Sequence, residues 1–127
     1  MNIFFKILLF SFLIFKFSYS FSEETKIKIG ILAPLSGENA SLGKQIINSI
    51  RMALIDINDN KIEIYPRDTR SDPAIALRSA LELEKMGISL VIGPVFYKNL
   101  AYLNEVKNIT FLSLTNKTLD LPENIIS

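Results

Sequence analysis

The sequence predicts an α/β fold, a parallel sheet of Rossmann-like βαβ units, on three observations. Short runs of β-branched and aliphatic residues recur four times along the 127 residues, bounded by Gly, Pro, Asn or Asp. The intervals between them carry apolar residues at three- and four-residue spacing, the period of an amphipathic helix. Strand and helix signals therefore alternate, and such an order predicts right-handed crossovers with helices on both faces of the sheet.

The first strand lies in Lys26 to Leu32, where Ile27, Ile29, Ile31 and Leu32 form the continuous apolar run of a strand covered on both faces. Pro34, Ser36 and Gly37 supply turn chemistry directly after it. Ile46, Ile47, Ile50, Ala53, Leu54 and Ile57 then recur on one helical face, with Lys44, Gln45, Asn48 and Arg51 between them, which predicts a helix over Leu42 to Ile57. Asn58, Asp59 and Asn60 break it. Lys61 to Pro66 alternates as a second strand, placed at a sheet edge because Pro66 cannot donate to a ladder.

Asp72-Pro73 marks the start of a second helix: Asp is a favoured N-cap, and Pro fits the first helical position, where its missing donor is not needed. That helix runs to Met86, and Gly87 is placed to close it in the left-handed conformation. Ser89 to Ile92 is a third strand, Gly93-Pro94 a turn, Phe96 to Val106 a short third helix and Ile109 to Leu114 a fourth strand. On this reading the sheet ends at an unpaired apolar fourth strand, which predicts self-association.

The expected strand order is 2-1-3-4, and the reversal falls between the first and third strands. Open α/β sheets bind at such a switch point, outside the carboxyl ends of the strands. The crevice is expected between Pro34 to Leu42 and Gly93 to Tyr97, with Thr115 and Asn116 beyond the fourth strand. Candidate binding residues are Ser36, Gly37, Asn39, Pro94, Val95, Phe96, Thr115 and Asn116. Ser36 leads them, because a hydroxyl beside free backbone amides suits a carboxylate or a carbonyl. These loops carry almost no charge, so they fit binding better than proton transfer.

The first twenty residues have the build of a secretory signal peptide: a short n-region with Lys6, an apolar core from Ile7 to Phe15, and Ser18 and Ser20 as small residues before a cleavage point. Lys16 ends the apolar run far short of the roughly 20 residues a spanning helix needs. Cleavage after Ser20 or Ser22 would release a periplasmic domain, residues 21–127. The chain has no cysteine, which excludes both a lipid-anchored cysteine and a disulfide. Without Lys6 and Lys16, 12 of the 14 cations remain against 13 anions. They are scattered, so no nucleic-acid footprint is present.

Several constellations fail on inspection. Gly37 to Lys44 departs from a phosphate loop, because five residues separate the glycines and Gln45 stands where a Ser or Thr should hold magnesium. No GxGxxG follows the first strand. With neither His nor Cys, the usual zinc ligands, thiol nucleophiles and Ser/His pairs are missing, so no enzyme, metal or cofactor is expected. Asp68 and Asp72 are close in sequence, and the expected division gives one to loop stabilisation and the other to capping. Tyr97 and Tyr102 are expected as half-buried core, and for Arg67 and Asp68, after the second strand, a buried ion pair or loop-ordering hydrogen bonds stand level with ligand contact. Asn39, Asn108 and Asn116 each open a triplet of the glycosylation-acceptor type.

The stretches KIKIGILAPLSGENASLGKQIINSIRMAL and IYPRDTRSDPAIALRSALELEKMGISLVIGP resemble the start of a type I periplasmic binding protein of the leucine/isoleucine/valine-binding kind. The resemblance covers roughly Lys26 to Lys117. It implies the N-terminal lobe of a two-lobed protein that closes on a ligand, cut short after four strands. Amino-acid-binding members of that family carry small hydroxyl residues after the third strand to hold the ligand carboxylate, whereas this sequence has Gly93-Pro94-Val95-Phe96-Tyr97. With Pro66 to Thr69, Gly93 to Phe96 and Ser113 to Asn116, it is more similar to the penicillin-binding protein activator branch. That similarity implies a non-catalytic partner of a peptidoglycan synthase. The alternative it leaves is a receptor for small polar solutes such as amino acids, held in an inter-lobe cleft and delivered to an ABC permease.

Overall fold

Seven residues from the apolar run, Ile27–Ala33, form β1, and its last three residues are fully buried. In the computed structural model, which describes residues 2–3, 25–116 and 121–127, β1 lies inside the sheet between β2 and β3. Apart from Asn2 and Ile3, the expected leader lies outside the described residues. Helix α1 spans Ala40–Ile57, starting two residues before the expected Leu42. It ends where Asn58 turns left-handed at φ 52° and donates its N–H to Leu54 O.

Strand β2, Ile62–Asp68, pairs in parallel with β1 alone, from Ile27↔Ile62 to Ala33↔Asp68. It continues two residues beyond Pro66, because an edge strand leaves half of its backbone groups without a ladder partner and tolerates a missing donor. Helix α2, Pro73–Lys85, opens as its sequence dictates: the Asp72 carboxylate accepts the Ile75 N–H at 2.9 Å, and Pro73 takes the first helical position. It closes in a Schellman motif, with Gly87 N–H on Glu84 O (2.9 Å), Ile88 N–H on Leu83 O (3.1 Å) and Gly87 at φ +75°.

Beyond β3, Leu90–Ile92, the expected third helix over Phe96 to Val106 does not form. Two short 3₁₀ segments, Tyr97–Leu100 and Leu103–Glu105, stand in its place. The reason is in the spacing: Leu100, Leu103 and Val106 are exactly three apart, and all are buried. A three-residue period aligns on one side of a 3₁₀ helix and drifts around an α-helix. Tyr97 and Tyr102 are consequently turned outward, 37% and 47% exposed, instead of joining the core. The Asn124 amide donates to the carbonyls of Leu103 and Val106 at 3.0 and 2.9 Å, supplying partners where the turns end.

Strand β4 covers only Thr110–Leu112, shorter than expected. It is not the sheet edge: β5, Ile125–Ile126, pairs with it in parallel, Phe111↔Ile125 and Leu112↔Ile126. The strand order is β2-β1-β3-β4-β5, the expected 2-1-3-4 with one strand added. Two residues of strand are too short for a sequence pattern to register, and only the ladder from Phe111 N–H to Asn124 O (2.8 Å) and Ser113 N–H to Ile126 O (2.7 Å) reveals them.

The two faces of the sheet are covered unequally. Residues of α2, the 3₁₀ segments and the sheet, among them Leu32, Leu83, Val91, Leu103 and Phe111, form one buried cluster. Under α1 the buried cluster is Ile31, Ala33 and Ile47, with Leu35, Ile50 and Ile64 packed against it.

Candidate functional site

The loops that follow β1, β2 and β3 meet at the carboxyl edge of the sheet, and two glycines set how closely. A Cβ on Gly43 would lie 2.0 Å from Pro34 O, so the first turn of α1 rests directly on the end of β1. A Cβ on Gly93, at φ +105°, would lie 2.2 Å from Leu32 O, which brings the start of the third loop against the same strand. The Gly93-Pro94 peptide is cis, and Pro94 O accepts the Leu114 N–H at 3.1 Å. Thr115 and Asn116 follow directly from that bond.

Asp68, the last residue of β2, organises the first two loops. Its Oδ1 accepts the N–H of Leu35 (2.8 Å), of Ser36 (3.3 Å) and of Arg70 (2.9 Å), while Oδ2 accepts the Ser36 hydroxyl at 2.5 Å. The Arg70 Nε lies 3.7 Å from Oδ2. Burial pushes the Asp68 carboxyl pKa up, but the hydrogen bonds from the Ser36 hydroxyl and from the Arg70, Leu35 and Ser36 amides together outweigh it and hold the group below its ordinary value. The main chain of Asp68 is tied as well: Ser79 Oγ donates to its carbonyl at 3.2 Å.

The expected division between the two aspartates is what the structure shows, with Asp68 on the loop and Asp72 on the helix. The sequence reading did not foresee that Asp68 takes the very donors offered to a ligand by Ser36. The Ala33↔Asp68 register, which only the folded sheet sets, brings the Ser36 loop beside the end of β2. Arg67 makes an ion pair, Nε to Glu82 Oε2 at 3.4 Å, that is partly exposed and not the buried one among the expected readings, and it donates to Pro66 O at 2.9 Å.

Asn39 precedes α1 without capping it, and its amide donates across the loops to Ser71 Oγ at 3.1 Å. Ser71 and Arg70 both have left-handed backbones, φ 56° and 48°, in a turn closed by Asp72 N–H on Thr69 O at 2.8 Å. Two adjacent non-glycine residues in that region are costly, and the bonds to Asp68 and Asn39 hold them there.

The remaining expected residues divide by exposure. Ser36, Gly37 and Asn116 are exposed, Val95, Phe96 and Thr115 are half-buried, and Pro94 is buried. The edge is thus a shelf of apolar and satisfied polar groups. A cleft of about 760 Å³ lies elsewhere, at the opposite end of the strands, between Ile27, Ile29, Met86, Gly87 and Leu90. Among the described residues, no group of three or more His, Cys, Asp or Glu is placed to hold a metal ion, and no helix is long and apolar enough to cross a membrane.

Comparison with known proteins agrees with this geometry. Residues 26–123 match the family model described as periplasmic binding protein. An uncharacterized protein of Methanocaldococcus jannaschii is 34% identical over 104 residues, which is 76% of this chain and 24% of that one. A Rhodopseudomonas palustris ABC-transporter solute-binding protein, solved with 4-hydroxybenzoate, superposes with a TM-score of 0.69 at 22% identity, covering 80% of this chain and 31% of its own. The C-domain of Haemophilus influenzae LpoA, a regulator of PBP1A, superposes with a TM-score of 0.62 at 23% identity, covering 77% and 31%. The chain therefore spans about a quarter to a third of the length of these relatives.

Proposed function

Taking as premise that this chain belongs to the periplasmic binding protein family, we propose that it is a non-catalytic recognition lobe, exported behind residues 1–20, that docks on a polypeptide partner of the peptidoglycan-synthase class. Residues 21–127 are the N-terminal lobe on this reading. The supporting observation is the state of the crevice wall. Leu35 N–H, Ser36 N–H and the Ser36 hydroxyl are donors that the first loop could turn toward a carboxylate, and all three are given to Asp68. The third loop offers Val95 and Phe96 in place of hydroxyls.

Each charge-assisted hydrogen bond to a bound carboxylate is worth about 1.5–3 kcal/mol. A wall lacking two of them binds a free amino acid weaker by about 3–6 kcal/mol, which moves a micromolar constant to the millimolar range or beyond. The same wall suits a protein surface, where half-buried Val95 and Phe96 form an apolar centre and exposed Ser36, Gly37 and Asn116, with half-buried Asn39, a polar rim.

Isothermal titration of the full chain with leucine, isoleucine, valine and their amides tests the reading, beside binding to the purified ectodomain of a peptidoglycan synthase. We expect no micromolar heat from the amino acids, and synthase binding that Phe96→Asp abolishes. A micromolar constant for any of these amino acids, weakened by Ser36→Ala, would return the chain to the solute receptors that serve an ABC permease.

A further inference from the structure

The fold sets one of the three acceptor triplets apart from the others. Asn39 is half-buried at the crevice, its amide donates to Ser71 Oγ at 3.1 Å, and Ala40 and Ser41 already belong to α1. Asn116 also stands at the crevice, beyond β4, and Thr118 of its triplet lies outside the described residues. Asn108-Ile109-Thr110 is placed differently. It leads into β4, and where every ladder is parallel the residues before a strand lie at the amino end of the sheet, away from the crevice. Asn108 and Thr110 are exposed, while Ile109 between them is buried and anchors the segment. Glu84 Oε1 accepts both the Asn108 main-chain N–H and an N–H of its Nδ2, each at 3.0 Å. One of the two Nδ2 protons is thus held on α2 and the other stays free. The Thr110 hydroxyl has no hydrogen-bond partner among the described residues.

We propose that Asn108 is an N-glycosylation site, receiving an oligosaccharide from a lipid-phosphate carrier. An asparagine with a hydroxyl two residues on, in an exposed segment, is what such a transfer requires. In the transfer, Nδ2 forms a bond to the anomeric carbon of the first sugar, and the bond from that carbon to the carrier's phosphate oxygen breaks. The lipid phosphate leaves with the electron pair, and Nδ2 gives up one proton. The proton it keeps can remain on Glu84, so the loop loses no contact. A glycan at this end of the sheet leaves the crevice loops bare, whereas one on Asn39 or Asn116 would stand among them. The proposal rests on the reading that residues 1–20 export the chain, because the transfer takes place outside the cytoplasm.

The test is mass spectrometry of the full chain isolated from the envelope of its own cells, with the N-terminus and the Asn108 peptide read in one sample. We expect a processed N-terminus and an Asn108 peptide heavier than its sequence by a whole number of sugar residues. Asn108→Gln and Thr110→Ala should each lose that mass, while Thr110→Ser and Asn39→Gln should retain it. Thr110→Ala keeps Asn108 and its bonds to Glu84, so its loss of mass separates an acceptor from an asparagine that only braces the loop, and circular dichroism establishes that it keeps its fold. A processed chain whose Asn108 peptide is bare, with or without sugar on Asn39 or Asn116, would overturn the proposal and leave the export reading standing. An unprocessed chain in the cytoplasm would overturn the export reading and this proposal with it.

Discussion

The two faces of this sheet arise from the same strands and differ in nearly everything else. Toward α2, the buried side chains come from a helix, two 3₁₀ turns and four strands, and they interlock around Phe111, Leu83 and Leu103, all fully buried. Toward α1, burial stops at β1 and β2, and the apolar residues of the next three strands stay partly open. Amino-acid composition separates the faces little, since both are mainly aliphatic. Coverage does, so the apolar burial of the described residues is concentrated on the α2 side.

The strongest way to sharpen this contrast is to cut equal side chains from both sides. Leu83→Ala should destabilise the chain by about 3–5 kcal/mol, and Ile47→Ala by about 2 kcal/mol, because a site with fewer neighbours leaves a smaller residual cavity. Urea midpoints of the two variants measure the difference, and equal losses would break it. Next in size is Gly43→Ala. Its methyl group would meet the fixed carbonyl of Pro34, so α1 must lift from β1 at a cost of about 1–3 kcal/mol, seen as a lower thermal midpoint without loss of helical ellipticity.

Asp68→Asn removes the carboxylate on which the loops converge and should cost about 1–2 kcal/mol at neutral pH. Because the folded-state pKa of Asp68 is lowered from 3.8, its contribution is complete above that value and is lost as pH falls through the folded pKa. The gap between wild type and Asp68→Asn should therefore be wide at pH 6 and narrow as pH falls below 3.8 and through the lowered folded-state pKa; a gap that stays constant on acidification would mean that the carboxylate charge does not matter. The smallest effect belongs to the open face: Ile126→Lys alone should change stability by no more than about 0.5 kcal/mol, since a residue 56% exposed loses little burial.

Much of the fold was legible because its signals are local. Asp72-Pro73 and Gly87 fixed both ends of α2, and Pro66 placed β2 at an edge, each through backbone chemistry that no distant residue can override. The third helix failed for a reason also present in the sequence: the spacing of Leu100, Leu103 and Val106 is that of a 3₁₀ turn, which an α-helical period resembles over one turn but not over three. Strand β5 was beyond local reasoning, because two residues acquire strand character only from the partner they meet. The crevice residues were found as loops, but not their hydrogen bonding. Nothing near Ser36 in sequence indicates that its hydroxyl belongs to a residue 32 positions away.

The Asp68 contacts also bear on how the crevice wall moves. Leu35 and Ser36 follow one strand and Arg70 another, yet their amides share a single acceptor oxygen. An opening that frees one of them loosens the site of all three, so their amide hydrogens should exchange with solvent at nearly one common rate, although Ser36 and Arg70 are exposed. The two loops then behave as one stiff body, and a surface that docks there meets a wall already ordered. It gives up little conformational freedom on this side of the contact, and any adjustment of shape falls to the partner.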